Sequence, residues 1–325
     1  VLRSGAVQCW GTNSSGELGN GSKIRSAVPV TVNGISTATS VSAVGSTTCA
    51  VLRSGGVQCW GSNLSGKLGN GSTDNSSTPV SVSGITSAIA VSAGNSSACA
   101  VLNSGQVQCW GSNSGGRLGN DTLTDSSTPV MVSSINSATS VSVGDDQTCA
   151  LLSSGAVRCW GGTYVPQPGN DPATSTSVPV TVNGISDAVS VSAGGFHTCA
   201  VLSSGAMRCW GYDEFGQLGT GRPFNYLPGA VLGANGQGFL NLIAGMATDA
   251  DNVFAWAERT YPSIFSVSGR ASLITPGYRY RSYVDGHYLG VNDGGIPHLF
   301  YLGTLSDNAL LDLGLLSGWV NQIGL

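Results

Sequence analysis

A register of 50 residues constrains this chain more than any other feature. Cys9, Cys59, Cys109, Cys159 and Cys209 stand one period apart, and each is followed by a tryptophan: Trp10, Trp60, Trp110, Trp160 and Trp210. Cys49, Cys99, Cys149 and Cys199 keep a second register, and Pro29, Pro79, Pro129 and Pro179 a third. Such a period marks a repeat architecture, in which one unit cannot bury its apolar faces alone and neighbours must stack. Within a unit the apolar runs SVSA (40–43), CAVL (49–52), VQCW (57–60) and PVSV (79–82) are strand-length, and Gly, Ser and Asn separate them. None has helical spacing. Four short strands in ~50 residues are the signature of a propeller blade.

The loops after the tryptophans carry a resemblance. CWGSNLSGKLGNGS (59–72) and CWGYDEFGQLGTGR (209–222) resemble the WG-x-N-x-x-G-x-L-G-x-G stretch of the regulator of chromosome condensation repeats. VSAGGFHTCAV (191–201) is similar to that family's other signature, with Gly194 and His197 in place. The resemblance covers residues 1–232 and implies a β-propeller, usually of seven blades. Seven would need ~350 residues at this period. The units here fall at about 1–50, 51–100, 101–150, 151–200 and 201–232, so the propeller is incomplete or open as given, with residues missing upstream as the favoured account. The signature histidine survives only as His197; Thr47, Ser97 and Gln147 take its place elsewhere. The best-known members exchange nucleotide on a small GTPase and bind chromatin. The interaction loops and basic arm that such a role needs are not found in this sequence.

The paired cysteines follow from hairpin geometry. RSG (53–55) fits a three-residue hairpin loop, a type I turn closed by a left-handed residue that glycine fills best. That loop sets Val51 opposite Val57, Ala50 opposite Gln58, and Cys49 opposite Cys59. Directly opposed strand residues lie within disulfide reach. The expected bridges are Cys49–Cys59, Cys99–Cys109, Cys149–Cys159 and Cys199–Cys209. Buried free thiols are the alternative; zinc is a poorer one, for no Cys-x-x-Cys or paired histidine is present. Cys9 is left unpaired, its register partner falling two residues before Val1, as truncation explains. Bridges in every unit imply an oxidising compartment, secreted or at the cell surface.

From about Gly233 the repeat dissolves, and residues 233–325 read as a small α+β domain. TDADNVFAWAERTYP (248–262) reads as a helix capped by Thr248 or Asp249 and ended by Pro262. Strands are expected at 278–284, 287–291 and 298–302, and a helix in ALLDLGLLSGWVNQI (309–323). The module resembles an accessory domain of secreted bacterial proteins. Tyr278, Tyr280, Tyr288 and Tyr301 line a groove or are half-buried sheet packing.

Charged residues make up 9% of the chain and its net charge is −4. Neither nucleic acid nor an anionic membrane is expected as partner, since both require a basic footprint. No apolar run approaches the ~20 residues of a spanning helix. His197, His287 and His298 show no metal spacing, and no nucleophile motif accompanies them. Asp145-Asp146 and Asp213-Glu214 read as solvated turns rather than calcium loops. No catalytic residue, metal or cofactor is expected.

Asymmetry among the units is more informative. Only the last two add aromatic residues to the register tryptophan: Tyr164, Phe196, Tyr212, Phe215, Phe224 and Tyr226. Aromatic residues on the loops of a rigid scaffold build interfaces; here they dock the C-terminal module, meet an external partner, or mark mere drift among the units. The expected protein is an extracellular, non-catalytic recognition scaffold of bacterial type that binds a protein or a surface glycan. Two alternatives stay open: a self-assembling component of a surface layer or fibre, and an enzyme with its site in the C-terminal module.

Overall fold

A computed structural model describes residues 1–162, 169, 175–221 and 225–232, and beyond these the backbone of short strands between residues 243 and 297. Each 50-residue period supplies one four-stranded antiparallel sheet whose strands pair in chain order. The first complete sheet is β3 (Ala38–Val44), β4 (Thr47–Leu52), β5 (Val57–Gly61) and β6 (Ser76–Ser81). The second is β7 (Ala88–Ala93), β8 (Ser97–Leu102), β9 (Val107–Gly111) and β10 (Ser126–Met131). The third is β11 (Ala138–Val143), β12 (Gln147–Leu152), β13 (Val157–Gly161) and β14 (Thr176–Thr181). The fourth is β15 (Ala188–Ala193), β16 (His197–Leu202), β17 (Met207–Gly211) and β18 (Asn225–Ala230). Before them, β1 (Gln8–Gly11) and β2 (Ser26–Thr31) form a two-stranded half-sheet. These are the blades of a β-propeller that does not close.

The turn at residues 53–55 sets the register of each blade. The Leu52 N–H donates to the Gly56 carbonyl at 2.8 Å, and Gly55 takes φ +82°, the left-handed region that a side chain disfavours. Pairing then runs Val51 with Val57, Ala50 with Gln58 and Cys49 with Cys59. The same turn in later units sets Cys99, Cys149 and Cys199 opposite Cys109, Cys159 and Cys209. All four pairs stand at disulfide distance, with Cα atoms 4.0–4.1 Å apart. Cys9 is a free thiol.

The core lies between blades. Cys49, Val51, Val57, Cys59, Leu68 and Val82 of one unit pack against Ala88, Ala98, Ala100 and Trp110 of the next. The second strand of each complete blade is therefore covered on both faces, and Thr47 to Val51 are all buried.

The sheet of β19 (Ile243–Thr248), β20 (Val253–Ala257), β21 (Ile264–Ser266) and β22 (Ser272–Leu273) follows, with β19 packed on β15 and β16. In the preceding blades, β15 packs on β11 and β12 in the same way. The helix expected over residues 248–262 is corrected here, since Val253–Ala257 is a strand. The β19–β20 hairpin repeats the register irregularity of β15–β16, a one-residue slip after the first pair. The physical reason is tertiary: helix propensity is a weak prior, and Val, Phe and Trp suit a strand laid against the exposed side of a blade. Short hairpins follow at Tyr283–Val284 with His287–Tyr288 and at Asn292–Asp293 with Ile296–Pro297. The expected strand at 298–302, the expected helix at 309–323, and Tyr278, Tyr280 and Tyr301, lie outside the described residues.

Candidate interaction face

Pairing of Thr47 with Gly61, and of His197 with Gly211, places two sets of loops at one end of the blades. One set joins first to second strands and holds residues 45–46, 95–96, 145–146 and 195–196. The other follows Trp-Gly and carries the Gly-x-Leu-Gly stretch.

These long loops lock one blade to the next. The Trp60 indole N–H donates to the Glu17 carbonyl at 2.8 Å, Trp110 to that of Lys67 at 2.9 Å, and Trp160 to that of Arg117 at 2.9 Å. Thr48 and Thr148 hydroxyls donate to the Glu17 and Arg117 carbonyls, each at 3.1 Å. The indole fits because Gly69 has no side chain: a Cβ there would stand 2.7 Å from the Trp110 Nε1. Trp60, Trp110, Trp160 and Trp210 are 0% exposed, whereas Trp10 is 42% exposed.

The residue whose carbonyl accepts the indole is itself buried, and its chemistry decides where its side chain goes. Glu17 bears acceptors and folds back to the Ser15 N–H at 2.8 Å; Gln217 does the same to the Phe215 N–H at 3.0 Å. Lys67 and Arg117 bear only donors and reach into the next blade. The Lys67 ammonium meets the Asn95 carbonyl at 3.0 Å, and Arg117 forms a buried ion pair with Asp146 at 3.0 Å. Burial lowers the Lys67 pKa, and Glu17 opposes that shift.

Three of the six aromatic candidates come together at this end. The Tyr212 N–H donates to the Phe196 carbonyl at 2.9 Å, which holds the two loops side by side. The Phe196 and Tyr212 ring centroids lie 6.2 Å apart at 68°, and those of Tyr212 and Phe215 lie 6.1 Å apart at 71°. Both are edge-to-face contacts, the geometry that aromatic quadrupoles prefer. The Tyr212 hydroxyl hydrogen-bonds Glu214. Phe215 remains 62% exposed. Tyr164 and Phe224 lie outside the described residues, and Tyr226 falls in β18 with its side chain likewise outside them.

The acids at this end are not all solvated turns, which corrects the sequence expectation. Asp146 is 1% exposed and paired with Arg117; Asp213 is 5% exposed. Burial pushes the Asp213 carboxyl up to about 6, against the pull of the Leu218 N–H. Asp74, Asp121, Asp125 and Glu214 are exposed at the same end, while Lys67 and Arg117 are buried. Lys23 and Arg25 are exposed in the first long loop at this end, so the exposed charges there are mixed, and the aromatic residues are what set the fifth loop apart. His197 is 0% exposed at the register of Thr47, Ser97 and Gln147, and the Gln147 amide donates to its carbonyl at 2.8 Å. Among the described residues no group of His, Cys, Asp or Glu side chains could hold a metal ion, and no helix is long and apolar enough to cross a membrane.

Two family models, both described as the regulator of chromosome condensation (RCC1) repeat, match the chain. One matches residues 4–51, 54–101 and 104–151, and the other 38–67, 88–117 and 188–217. Comparison with curated proteins finds no match. Among solved structures, yeast RCC1 (Prp20) in complex with Kap60 is similar at TM-score 0.65 and 22% identity, over 80% of this chain and 63% of that one. Prp20p of Saccharomyces cerevisiae, in a structure reported with its binding to Gsp1p and histones, is similar at TM-score 0.66 and 22% identity, over 82% of this chain and 67% of that one. Human WBSCR16 is similar at TM-score 0.68 and 20% identity, over 79% of this chain and 68% of that one. This chain thus spans about two thirds of the length of these structures.

Proposed function

Because the chain belongs to the regulator of chromosome condensation repeat family, we propose that it is a non-catalytic scaffold that binds another protein through the loop end of its blades. The observation that carries this reading is the Phe196–Tyr212–Phe215 cluster: edge-to-face rings on loops tied to a stacked β-array, with Phe215 62% exposed. Rigid aromatic side chains lose little conformational entropy on binding and dominate interface energetics. The proposed binding face is built from loops of residues 1–232. Four cysteine pairs at disulfide distance fit an oxidising compartment, and we place the protein outside the cell or at its surface.

Photo-crosslinking tests this. A photoreactive residue at position 215 is expected to give one discrete protein adduct under native conditions, lost on Tyr212→Ala; the same probe at exposed Met131 gives none. Equal labelling from both positions, or an adduct indifferent to Tyr212→Ala, sinks the reading. A glycan array showing selective, Phe215-dependent retention would replace the protein by a carbohydrate.

A further inference from the structure

Exposed charge is sorted among the long loops. Lys23 and Arg25 are exposed in the first. Lys67 and Arg117, in the second and third, are buried, with their charged groups held by the next blade. Every other exposed charge among the described residues of these loops is acidic: Asp74 in the second, Asp121 and Asp125 in the third, and Glu214 in the fifth. The cations of the first loop are separated from the fifth by the three loops between them. Arg222 lies outside the described residues.

In the fifth loop the acid and the rings form one arrangement. The Tyr212 hydroxyl donates to Glu214 Oε2, which holds the carboxylate at the hydroxyl edge of the Tyr212 ring. Phe215 stands edge-to-face against that same ring, with centroids 6.1 Å apart, and is itself exposed. An ionised carboxylate offers about four lone-pair sites, and the tyrosine takes one. The third long loop shows acids without rings: Asp121 and Asp125 flank Leu123, which is 68% exposed, and no aromatic residue follows Trp110 in that loop.

This pairing selects among partner side chains. An apolar one would gain from Phe215 but would strip water from Glu214 and return nothing to it. An anionic one would meet like charge. A basic one satisfies both groups. Its methylene stem lies along the ring, its charge is drawn to the negative ring face, and its N–H groups give charge-assisted hydrogen bonds to the carboxylate. We propose that the fifth loop is a cation-recognition site, which takes a lysine or arginine side chain from a basic segment of the partner protein, the stem over Phe215 and the charge at Glu214. This rests on the reading of the Phe196–Tyr212–Phe215 cluster as the binding face.

The test needs no partner. The full chain is titrated with a capped Gly-Arg-Gly-Arg-Gly peptide and followed by NMR at the Phe215 ring, the Glu214 carboxyl carbon and the Leu123 methyls. Capped Gly-Leu-Gly-Leu-Gly and Gly-Glu-Gly-Glu-Gly are the apolar and anionic probes. The arginine peptide is expected to shift Phe215 and Glu214 saturably and to leave Leu123 in place, and the other two to give no saturable shift. Glu214→Gln keeps an acceptor for the Tyr212 hydroxyl and removes the charge, while Phe215→Leu keeps an apolar side chain and removes the π face. Each is expected to weaken the arginine peptide about two- to fivefold. Phe215→Trp supplies the better ring for a cation and is expected to hold or raise the affinity. A leucine peptide that binds as tightly as the arginine peptide, equal shifts at Leu123, or an affinity indifferent to both Glu214→Gln and Phe215→Leu overturns the proposal. Crosslinking from position 215 separates the two ideas. A Tyr212-dependent adduct that excess arginine peptide does not compete away refutes the cation site and leaves the face. Arginine-peptide binding with these mutational effects, but no adduct, refutes the protein-binding face and leaves the cation site.

Discussion

Gly69→Ala strikes the lock between blades, and a second glycine isolates its cost. Gly69 has φ +71°, and a Cβ there would lie 2.7 Å from Nε1 and 2.8 Å from Cδ1 of Trp110, and 2.9 Å from Cγ1 of Val82. Gly84 has the same φ of +71°, with nothing within 4 Å of its Cβ position. Placing an alanine in the left-handed region costs about 1–2 kcal/mol. Forcing a methyl into a filled core adds about 1–3 kcal/mol. Gly84→Ala is therefore expected to lose about 1–2 kcal/mol, and Gly69→Ala about 2–5 kcal/mol. Trp110 has little room to yield, being 0% exposed and bonded to the Lys67 carbonyl at 2.9 Å. A tilt that relieved the clash would strand that carbonyl, itself a cost of about 1–3 kcal/mol. A stacked array does not unfold as a single two-state unit, so the reading must be local. Native-state hydrogen exchange over residues 97–111 supplies it. Equal protection losses there in the two variants would refute the claim that Gly69 is small because Trp110 needs its space.

Removing one bridge with Cys99→Ala and Cys109→Ala, whose sequence separation is 10, is expected to cost about 2.7 kcal/mol in the loop-entropy account. Unchanged exchange in β8 and β9 would count against a formed bond. Thiol titration under denaturing, non-reducing conditions is expected to leave Cys49, Cys59, Cys99, Cys109, Cys149, Cys159, Cys199 and Cys209 unlabelled. In the folded protein burial raises the Cys9 pKa to about 11, so alkylation at pH 8 should be much slower than in the unfolded chain; fast native labelling would contradict this. Asp146→Ala leaves Arg117 buried without its carboxylate and is expected to cost about 3–5 kcal/mol, measured by exchange across β11 and β12. Asp213 has a folded pKa of about 6 against an ordinary 3.8, so the folded state holds more protons between those values. Unfolding free energy then falls as pH rises through that window, by at most about 3 kcal/mol, and Asp213→Asn removes the slope; a slope of opposite sign or one retained in the variant would disprove it.

The blades were legible in the sequence because two local rules met a strict period. Gly55 fixes the hairpin length, hairpin length fixes strand parity, and parity fixes that Cys49 faces Cys59. The lock between blades was not legible, although its residues were conspicuous. Trp60 meets the main-chain carbonyl of Glu17, and a carbonyl leaves no mark on the side-chain sequence. The strand at Val253–Ala257 was misread for a related reason: the cysteine and Trp-Gly registers stop at Gly211, while the pairing that organises β19 and β20 is supplied by the preceding blade. Phe196 and Tyr212 were singled out by composition; what joins them is the pairing of His197 with Gly211 at the strand ends.

The buried position within Gly-x-Leu-Gly explains why the aromatic face falls where it does. Lys67 and Arg117 carry donors and fasten their loops to the following blade. Ser65 and Gly115, in those two loops, take the left-handed conformation at φ 58° and 67°. A phenylalanine at that backbone position would be strained, so an aromatic there requires a differently folded loop. Gln217 provides one: its carbonyl oxygen folds back to the Phe215 N–H, as Glu17 does to Ser15, and the left-handed residue disappears. The exchange of donor for acceptor at position 217 thus admits the ring at 215. It also turns this side chain's bond inward, onto its own loop rather than the next blade.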